Sequence, residues 1–157
     1  LTKVQKVITI YQIAEGMKYI HSYKFVHLNL IPSNILISDN GMVKIAGFER
    51  IQMMSSIQQN KEIEMKEMED IYSFGDIVFF ILTDGGVAEI RNETVLNSID
   101  LLGKQLIEAC WSSKIECMVS FEIICEVLEK NNYNLISLSQ QEINELLQMI
   151  NQYKLQF

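Results

Sequence analysis

The sequence has little proline, little cysteine and no long hydrophobic run. A single proline, Pro32, stands among 157 residues. The longest wholly apolar run, residues 77–82, is far shorter than the roughly 20 residues that a membrane-spanning helix needs. Lys3 and Lys6 interrupt the first residues, which therefore do not resemble a signal peptide. We expect no membrane insertion, and the start at Leu1 predicts a piece of a longer chain.

Basic residues are also scarce, and the number of cysteines is odd. The formal net charge is −7, which argues against sequence-independent binding of nucleic acid. The three cysteines, Cys110, Cys117 and Cys125, cannot all pair with one another, and their spacing matches no zinc pattern. We interpret them as buried or idle thiols of a cytoplasmic protein. The hydrophobic fraction of 48% is that of a globular domain.

The first third of the chain has a helical pattern followed by a hairpin pattern. Apolar residues at helical spacing predict one long amphipathic helix over residues 2–22. Asn40 and Gly41 lie between two β-branched runs, residues 35–37 and 43–45. Such a pair predicts a hairpin in which both turn residues take positive φ. We expect this hairpin to be the only clear sheet.

The rest of the chain predicts further helices. Asp70 opens an apolar stretch that predicts a buried central helix over residues 71–82, with Asp70 as its N-terminal cap. Residues 51–69 before it are polar and are expected to form a loop. Shorter helical patterns follow over residues 96–99, 101–111 and 121–128.

The end of the chain predicts one more helix. Ser139 and Glu142 form a capping-box pattern ahead of an amphipathic tail helix within residues 137–157. The predicted fold class is therefore α+β, mainly α. It consists of a helical bundle around a buried central helix, with a small β-hairpin.

Several short segments resemble a known family. Residues 13–22 (IAEGMKYIHS) and 27–34 (HLNLIPSN) resemble the catalytic-loop region of eukaryotic protein kinases, whose pattern is H-R-D-L-K-P-x-N. Residues 44–49 (KIAGFE) then fall where that family has its D-F-G motif. Gly47 follows Asn34 by thirteen residues, which is the family's spacing between its two metal ligands.

Two later motifs extend the resemblance. Residues 70–75 (DIYSFG) are similar to the start of the family's buried central helix, and residues 110–122 resemble the closing motif of tyrosine-kinase-like kinases. The loop form of residues 30–34 is typical of serine/threonine kinases. The resemblance implies a kinase-like C-terminal lobe over residues 1–136, with residues 137–157 as a tail helix. The Gly-rich loop and strand lysine of the N-terminal lobe have no counterpart in this chain.

The resemblance also implies that most catalytic positions have been replaced. Asn29 stands at the catalytic aspartate, and an amide cannot take a proton at neutral pH. Ile31 stands at the phosphate-steadying lysine, and Gly47 stands at the metal-binding aspartate of D-F-G. Asn34 is left as a vestigial metal ligand, because a lone amide oxygen binds a hard dication poorly. Glu49 is a second group that could reach an ion.

Other losses agree with this pattern. Leu28 replaces the arginine that would anchor a phosphorylated activation loop, and residues 50–69 contain no A-P-E motif. Met118 and Val119 replace the arginine and proline that would accompany that motif. The glutamate of the A-P-E motif and the arginine that would pair with it, at position 118, are therefore both absent.

The positions that are retained are structural. By resemblance, His27 and Phe48 stack in the core, although His27 is equally well a plain buried histidine. Asp70 is expected to hold the backbone of residues 27–28 by hydrogen bonds. By resemblance, Leu36, Ile77 and Ile81 are expected to support an adenine pocket from below.

Three functional hypotheses follow. The first is a degenerate kinase domain, or pseudokinase, that acts as a protein-interaction or regulatory module in signalling, with an active kinase as one possible partner. The second is an atypical active serine/threonine kinase that uses Asn34 and Glu49 for the metal. The third is a decayed fragment without function. We expect no cofactor, and ATP with Mg²⁺ only if the parent protein has an intact N-terminal lobe.

Overall fold

The computed structural model describes residues 1–85, 93–112, 114 and 118–156, and over these ranges the chain is mainly helical. The α-helices are α1 (Lys3–Ser22), α2 (Asn60–Leu82), α3 (Glu93–Leu96), α4 (Leu101–Cys110), α5 (Phe121–Lys130) and α6 (Gln140–Lys154). The strands are β1 (Phe25–Val26), β2 (Ile35–Ile37), β3 (Val43–Ile45) and β4 (Gln52–Met53). The α+β, mainly α prediction is confirmed. Within the described ranges no helix is long and apolar enough to cross a bilayer.

Helix α1 lies at the centre of the core and is buried on nearly every side. Thr2 caps it through a capping box with Gln5. The sequence predicted an amphipathic helix because Lys6 and Gln12 break the apolar pattern, but both side chains are buried. Lys6 forms an ion pair of 2.7 Å with Asp84. Gln12 accepts a hydrogen bond of 2.8 Å from the backbone N–H of Val43, so a polar residue on this helix positions the hairpin.

The predicted hairpin is present, with a different turn. Strands β2 and β3 pair antiparallel, with Ile35 opposite Ile45. Gly41 has a φ of 77°, whereas Asn40 is not among the residues with positive φ. The turn closes through a 2.8 Å hydrogen bond from the Gly41 N–H to the Ser38 carbonyl. A single glycine thus supplies the left-handed residue, and the prediction of two such residues is wrong.

A second small sheet corrects the expectation of a single one. Strand β1 pairs antiparallel with β4, and Phe25 lies opposite Met53. Each strand has only two residues, which is too short for an alternating pattern to be recognised in the sequence.

Helix α2 begins much earlier than predicted. It runs without a break from Asn60, so Asp70 lies in the middle of the helix and cannot cap its N-terminus. Residues 60–69 are rich in Lys, Glu and Met, which are good helix formers. Glu62 and Lys66 add an i, i+4 ion pair at 3.5 Å. High intrinsic propensity therefore converts half of the expected polar loop into helix.

The later elements agree with the predicted ones apart from their bounds. The expected helix at residues 96–99 is observed as α3, which lies a few residues earlier. Ser120 caps α5 by accepting from the Ile123 N–H at 3.2 Å, and Ser139 with Glu142 forms the capping box of α6. Gly85 has a φ of 97° just after α2 ends, while Gly86 lies outside the described residues.

The cysteines that the structure describes are buried thiols. Cys110 and Cys125 are both free and buried in the main core. Burial raises the pKa of the Cys110 thiol to about 12, so the reactive thiolate form is suppressed at neutral pH. Cys117 lies outside the described residues.

Helix α6 packs on the same core as the rest of the chain. Leu146 and Ile150 are buried in the cluster that surrounds α1. Glu129 of α5 accepts hydrogen bonds of 2.7 Å from both the Tyr11 hydroxyl and the Lys154 ammonium group. These hydrogen bonds lower the pKa of the Glu129 carboxyl, and the one from Lys154 has the larger effect. This contact joins α1, α5 and α6.

Truncating a buried leucine of α6 is expected to destabilise the whole domain. Leu146 is buried and Leu147, its neighbour on the same helix, is exposed. Leu146→Ala should reduce the free energy of unfolding by about 2–4 kcal/mol, because it leaves a cavity. Leu147→Ala should cost about 0.5 kcal/mol or less. Urea denaturation of both variants measures this, and equal midpoints would show that α6 does not belong to the core.

Candidate functional site

Asp70 fixes the loop at residues 27–34 to helix α2. Its carboxylate is fully buried and accepts hydrogen bonds from the backbone N–H groups of His27 at 2.8 Å and Leu28 at 2.7 Å. These are the hydrogen bonds that the resemblance implied. The same carboxylate also lies 2.8 Å from the Nε2 atom of His21. Three separate groups are therefore organised around one side chain in the middle of a buried helix.

His27 is held in one orientation because each of its ring nitrogens takes part in a hydrogen bond. Its Nδ1 atom accepts from the Asn29 N–H at 3.2 Å, so Nε2 carries the proton that is donated to the Ala46 carbonyl at 3.0 Å. The ring packs edge-on against Phe48, with the ring centroids 5.0 Å apart. His27 is buried, whereas Phe48 is 46% exposed, so Phe48 contacts His27 but does not lie in the core as expected. The pair joins the loop at residues 27–34 to the segment after β3.

Asn29 uses its amide as a donor. Its Nδ2 atom donates to the Gly47 carbonyl at 3.2 Å and to the Glu49 carboxylate at 3.3 Å. An aspartate in the same place could donate neither hydrogen bond when ionised. It would also bring a second negative charge close to Glu49. The surroundings of residue 29 therefore suit an amide and not a carboxylate.

Asn34 occupies the space next to Gly47. Its Nδ2 atom donates to the Asn29 carbonyl at 2.8 Å, which holds the side chain in place. A Cβ atom built on Gly47 would lie 2.1 Å from that same nitrogen, and Gly47 has a φ of 81°. Any side chain at position 47 would therefore overlap Asn34 and would take a conformation that L-residues rarely adopt. A side chain at position 47 would therefore have to displace the Asn34 amide from its hydrogen bond, and in this structure only one of the two positions expected to share a metal carries a polar side chain.

The remaining predicted site residues do not converge on this place. Ile31 and Leu36 are largely exposed apolar side chains, whereas Ile77 and Ile81 are buried in the main core. Glu49 is the carboxylate that reaches the pair formed by Asn29 and Gly47. Among the described residues, no group of three or more His, Cys, Asp or Glu side chains is arranged to hold a metal ion.

Comparison with known proteins decides the family. A family model described as protein tyrosine and serine/threonine kinase matches residues 1–106, which is more than half of the chain. The chain belongs to this kinase family. The match includes the loop at residues 27–34, the hairpin and the whole of α2, and it ends within α4.

Individual relatives carry kinase names and one carries the name of a complex subunit. The chain is 34% identical over 62 residues to extracellular signal-regulated kinase 2 of Dictyostelium discoideum, covering 40% of this chain and 17% of that protein. It is 28% identical over 148 residues to a probable serine/threonine-protein kinase of the same organism, covering 74% and 16%. It is 28% identical over 89 residues to the PAN2-PAN3 deadenylation complex subunit PAN3 of Chaetomium globosum, covering 56% and 14%. The chain thus spans less than a fifth of the length of each of these relatives.

The hydrogen bonds of two buried or half-buried residues were not predicted from the sequence. His21 was not assigned to the Asp70 cluster, and Gln12 was not assigned to the hairpin. Gln12 did carry a signal, since it lies four residues after Ile8 on the apolar side of α1. A polar residue in that place usually has a specific buried partner. His21 carried no such signal, because its partner is 49 residues away in the sequence.

Proposed function

We propose that this chain is a degenerate kinase domain that works by binding other proteins and not by transferring phosphate. The observation that carries the proposal is the placement of the Asn34 amide 2.1 Å from where a Cβ of residue 47 would lie. Gly47 provides no carboxylate for a metal, and the Asn34 side chain, held by the Asn29 carbonyl, fills the space beside it.

The chemistry of phosphoryl transfer supports the same proposal. Kinases rely on metal ions to neutralise the phosphates and on an aspartate to orient the substrate hydroxyl. Here Asn29 donates its amide protons to Gly47 and Glu49, and Ile31 provides no charge. General-base catalysis alone typically contributes about 10²–10⁴-fold to a rate. The retained groups are those that hold the fold, namely His27, Phe48 and Asp70.

The comparisons support an interaction role of this kind. One relative, PAN3, is named as the subunit of a complex and not as a kinase. We propose a cytoplasmic protein partner for this chain, with an active kinase as one candidate class, and a signalling or regulatory role. We further propose an ancestor in the tyrosine-kinase-like group, which the resemblance of residues 110–122 supports, with serine/threonine specificity, which the loop form at residues 30–34 favours.

The alternative of an atypical active kinase is favoured by the relatives that carry kinase names, one of which is named as a probable serine/threonine-protein kinase. In that case Asn34 and Glu49 would have to hold Mg²⁺ between them. Glu49 would first have to release the hydrogen bond from Asn29, and Asn34 would have to present its Oδ1 atom to the ion. ATP and Mg²⁺ binding separates the two functions.

Restoring one catalytic residue at a time is expected to fail. The parent protein, with either Asn29→Asp or Gly47→Asp, should show no phosphate transfer from radiolabelled ATP above the unmodified protein. Each change leaves the other positions and Ile31 unrestored, and residues that act as a unit are strongly non-additive.

ATP binding is tested on the unmodified parent protein, which is titrated with ATP, with and without Mg²⁺, in a thermal-shift assay. We expect no Mg²⁺-dependent rise in melting temperature. A rise that requires Mg²⁺ and disappears in Asn34→Ala would favour the atypical kinase. Turnover in the ordinary kinase range of about 1–100 s⁻¹ from one reversion would refute the proposed function.

A further inference from the structure

A second, smaller apolar cluster lies apart from the main core. Val26, Leu28 and Met54 are buried in it, and Ile57 and Ile63 pack against them. We refer to these five residues as the apolar clasp. Two of them come from the region around the loop at residues 27–34, and the other three come from residues 54–63, which follow β4 and run into α2. The clasp therefore joins two segments that are far apart in the sequence.

Backbone hydrogen bonds align the two segments on which the clasp closes. Strand β1 pairs with β4, and the Met54 N–H donates to the Lys24 carbonyl at 2.8 Å. The Ile57 N–H donates to the Met54 carbonyl at 3.0 Å and continues the docked segment. The Lys66 ammonium group reaches back from α2 to the Gln52 side chain at 2.8 Å.

Leu28 is the member of the clasp that belongs to the loop at residues 27–34. It is a non-glycine residue with a φ of 60°, a conformation that is uncommon for a leucine. Its N–H is fixed by the Asp70 carboxylate, which holds the backbone in this conformation. Its side chain is buried in the clasp. Leucine here replaces, by resemblance, an arginine that would anchor a phosphate on the activation loop.

We propose that the apolar clasp keeps residues 52–63 permanently docked against residues 24–28, where the loop at residues 27–34 begins, without any phosphate. Burial of apolar side chains takes over the part that an ion pair between arginine and phosphate would play. The segment is then a fixed element of the fold and not a phosphorylation switch. This inference stands on the packing and goes beyond the proposed function, because it holds whether or not the protein binds ATP.

Hydrogen exchange of the chain, followed residue by residue by NMR, tests the clasp. Ile63→Ser should lower the protection of the Met54 and Ile57 amides at least tenfold, while the amides of α1 change less than twofold. Met65→Ser is the matched control, since Met65 lies on the same part of α2 and is exposed. Leu28→Ala is a second variant that keeps the hydrogen bond to Asp70, and it should have the same local effect.

The possible results decide the proposal. Unchanged protection of Met54 and Ile57 in both Ile63→Ser and Leu28→Ala would overturn it, and so would an equal loss in α1. A negative charge at exposed Ser55 tests the switch directly. Ser55→Glu should leave the protection of the segment within twofold. A tenfold rise would show that charge orders the segment, and the proposal would be wrong.

Discussion

Gly47→Asp is expected to destabilise the domain by about 2–3 kcal/mol and to restore no metal binding. A non-glycine residue in the left-handed region costs about 1–2 kcal/mol, and the loss of the hydrogen bond that Asn34 makes costs about 0.5–1.5 kcal/mol more. Asn34 must move to admit the new side chain, since its Nδ2 atom lies 2.1 Å from the position of the Cβ. That movement breaks its hydrogen bond to the Asn29 carbonyl. Urea denaturation gives the stability, and a Mg²⁺ titration followed by calorimetry gives the binding.

Gly41→Asp is the matched control for Gly47→Asp. Gly41 has a similar φ of 77°, but the nearest atom to a Cβ there is the Cε of Met149 at 3.8 Å. It should therefore show only the backbone cost, about 1–2 kcal/mol. A double-mutant cycle of Gly47→Ala with Asn34→Ala should give a coupling of about 1 kcal/mol or more, because removal of the amide relieves the overlap. Additive effects would contradict the steric account.

Asp70→Ala is expected to have a larger effect, about 3–5 kcal/mol. The change leaves the buried N–H groups of His27 and Leu28 without an acceptor, and each unsatisfied buried donor costs about 1–3 kcal/mol. Hydrogen bonds to a charged group are also stronger than ordinary ones. The free energy of unfolding, from chemical denaturation, is the measurement.

Glu69→Ala controls for the loss of a carboxylate on the same helix. Glu69 is half-exposed and lies 3.8 Å from Arg50, so its removal should cost about 0.5 kcal/mol or less. Asn34→Ala should cost about 1 kcal/mol, since it removes one hydrogen bond to a carbonyl. If Asp70→Ala and Asn34→Ala shared one midpoint, Asp70 would not be the anchor of the loop.

The elements with strong local signals could be predicted from the sequence. Helix α1, the hairpin β2–β3 and the capping box at Ser139 each depend on residues within one or two turns of each other. The hydrogen bonds from His27 and Leu28 to Asp70 could be expected only through the family resemblance, because those residues are separated by more than 40 positions.

The remaining features depend on packing that no local pattern records. The early start of α2 at Asn60 could have been expected from helix propensity, but the polar composition of residues 60–69 favoured a loop. The closure of the site around Gly47 depends on the side-chain position of Asn34, which is set by the carbonyl of Asn29. The clasp around Leu28 depends on β1 meeting β4, a pairing of two residues on each side.

The contact among Tyr11, Glu129 and Lys154 has a consequence for how the chain folds during synthesis. Tyr11 and Glu129 are 118 residues apart, and the face of α1 that α5 and α6 cover stays open until those helices have been made. At a synthesis rate of about 5–20 residues per second, Tyr11 would wait about 6–24 s for Glu129 and longer for Lys154. Contacts of such long range also slow the folding itself. This apolar face of α1 therefore stays exposed for seconds during synthesis, and a chaperone that shields it should raise the yield in a cell-free translation reaction.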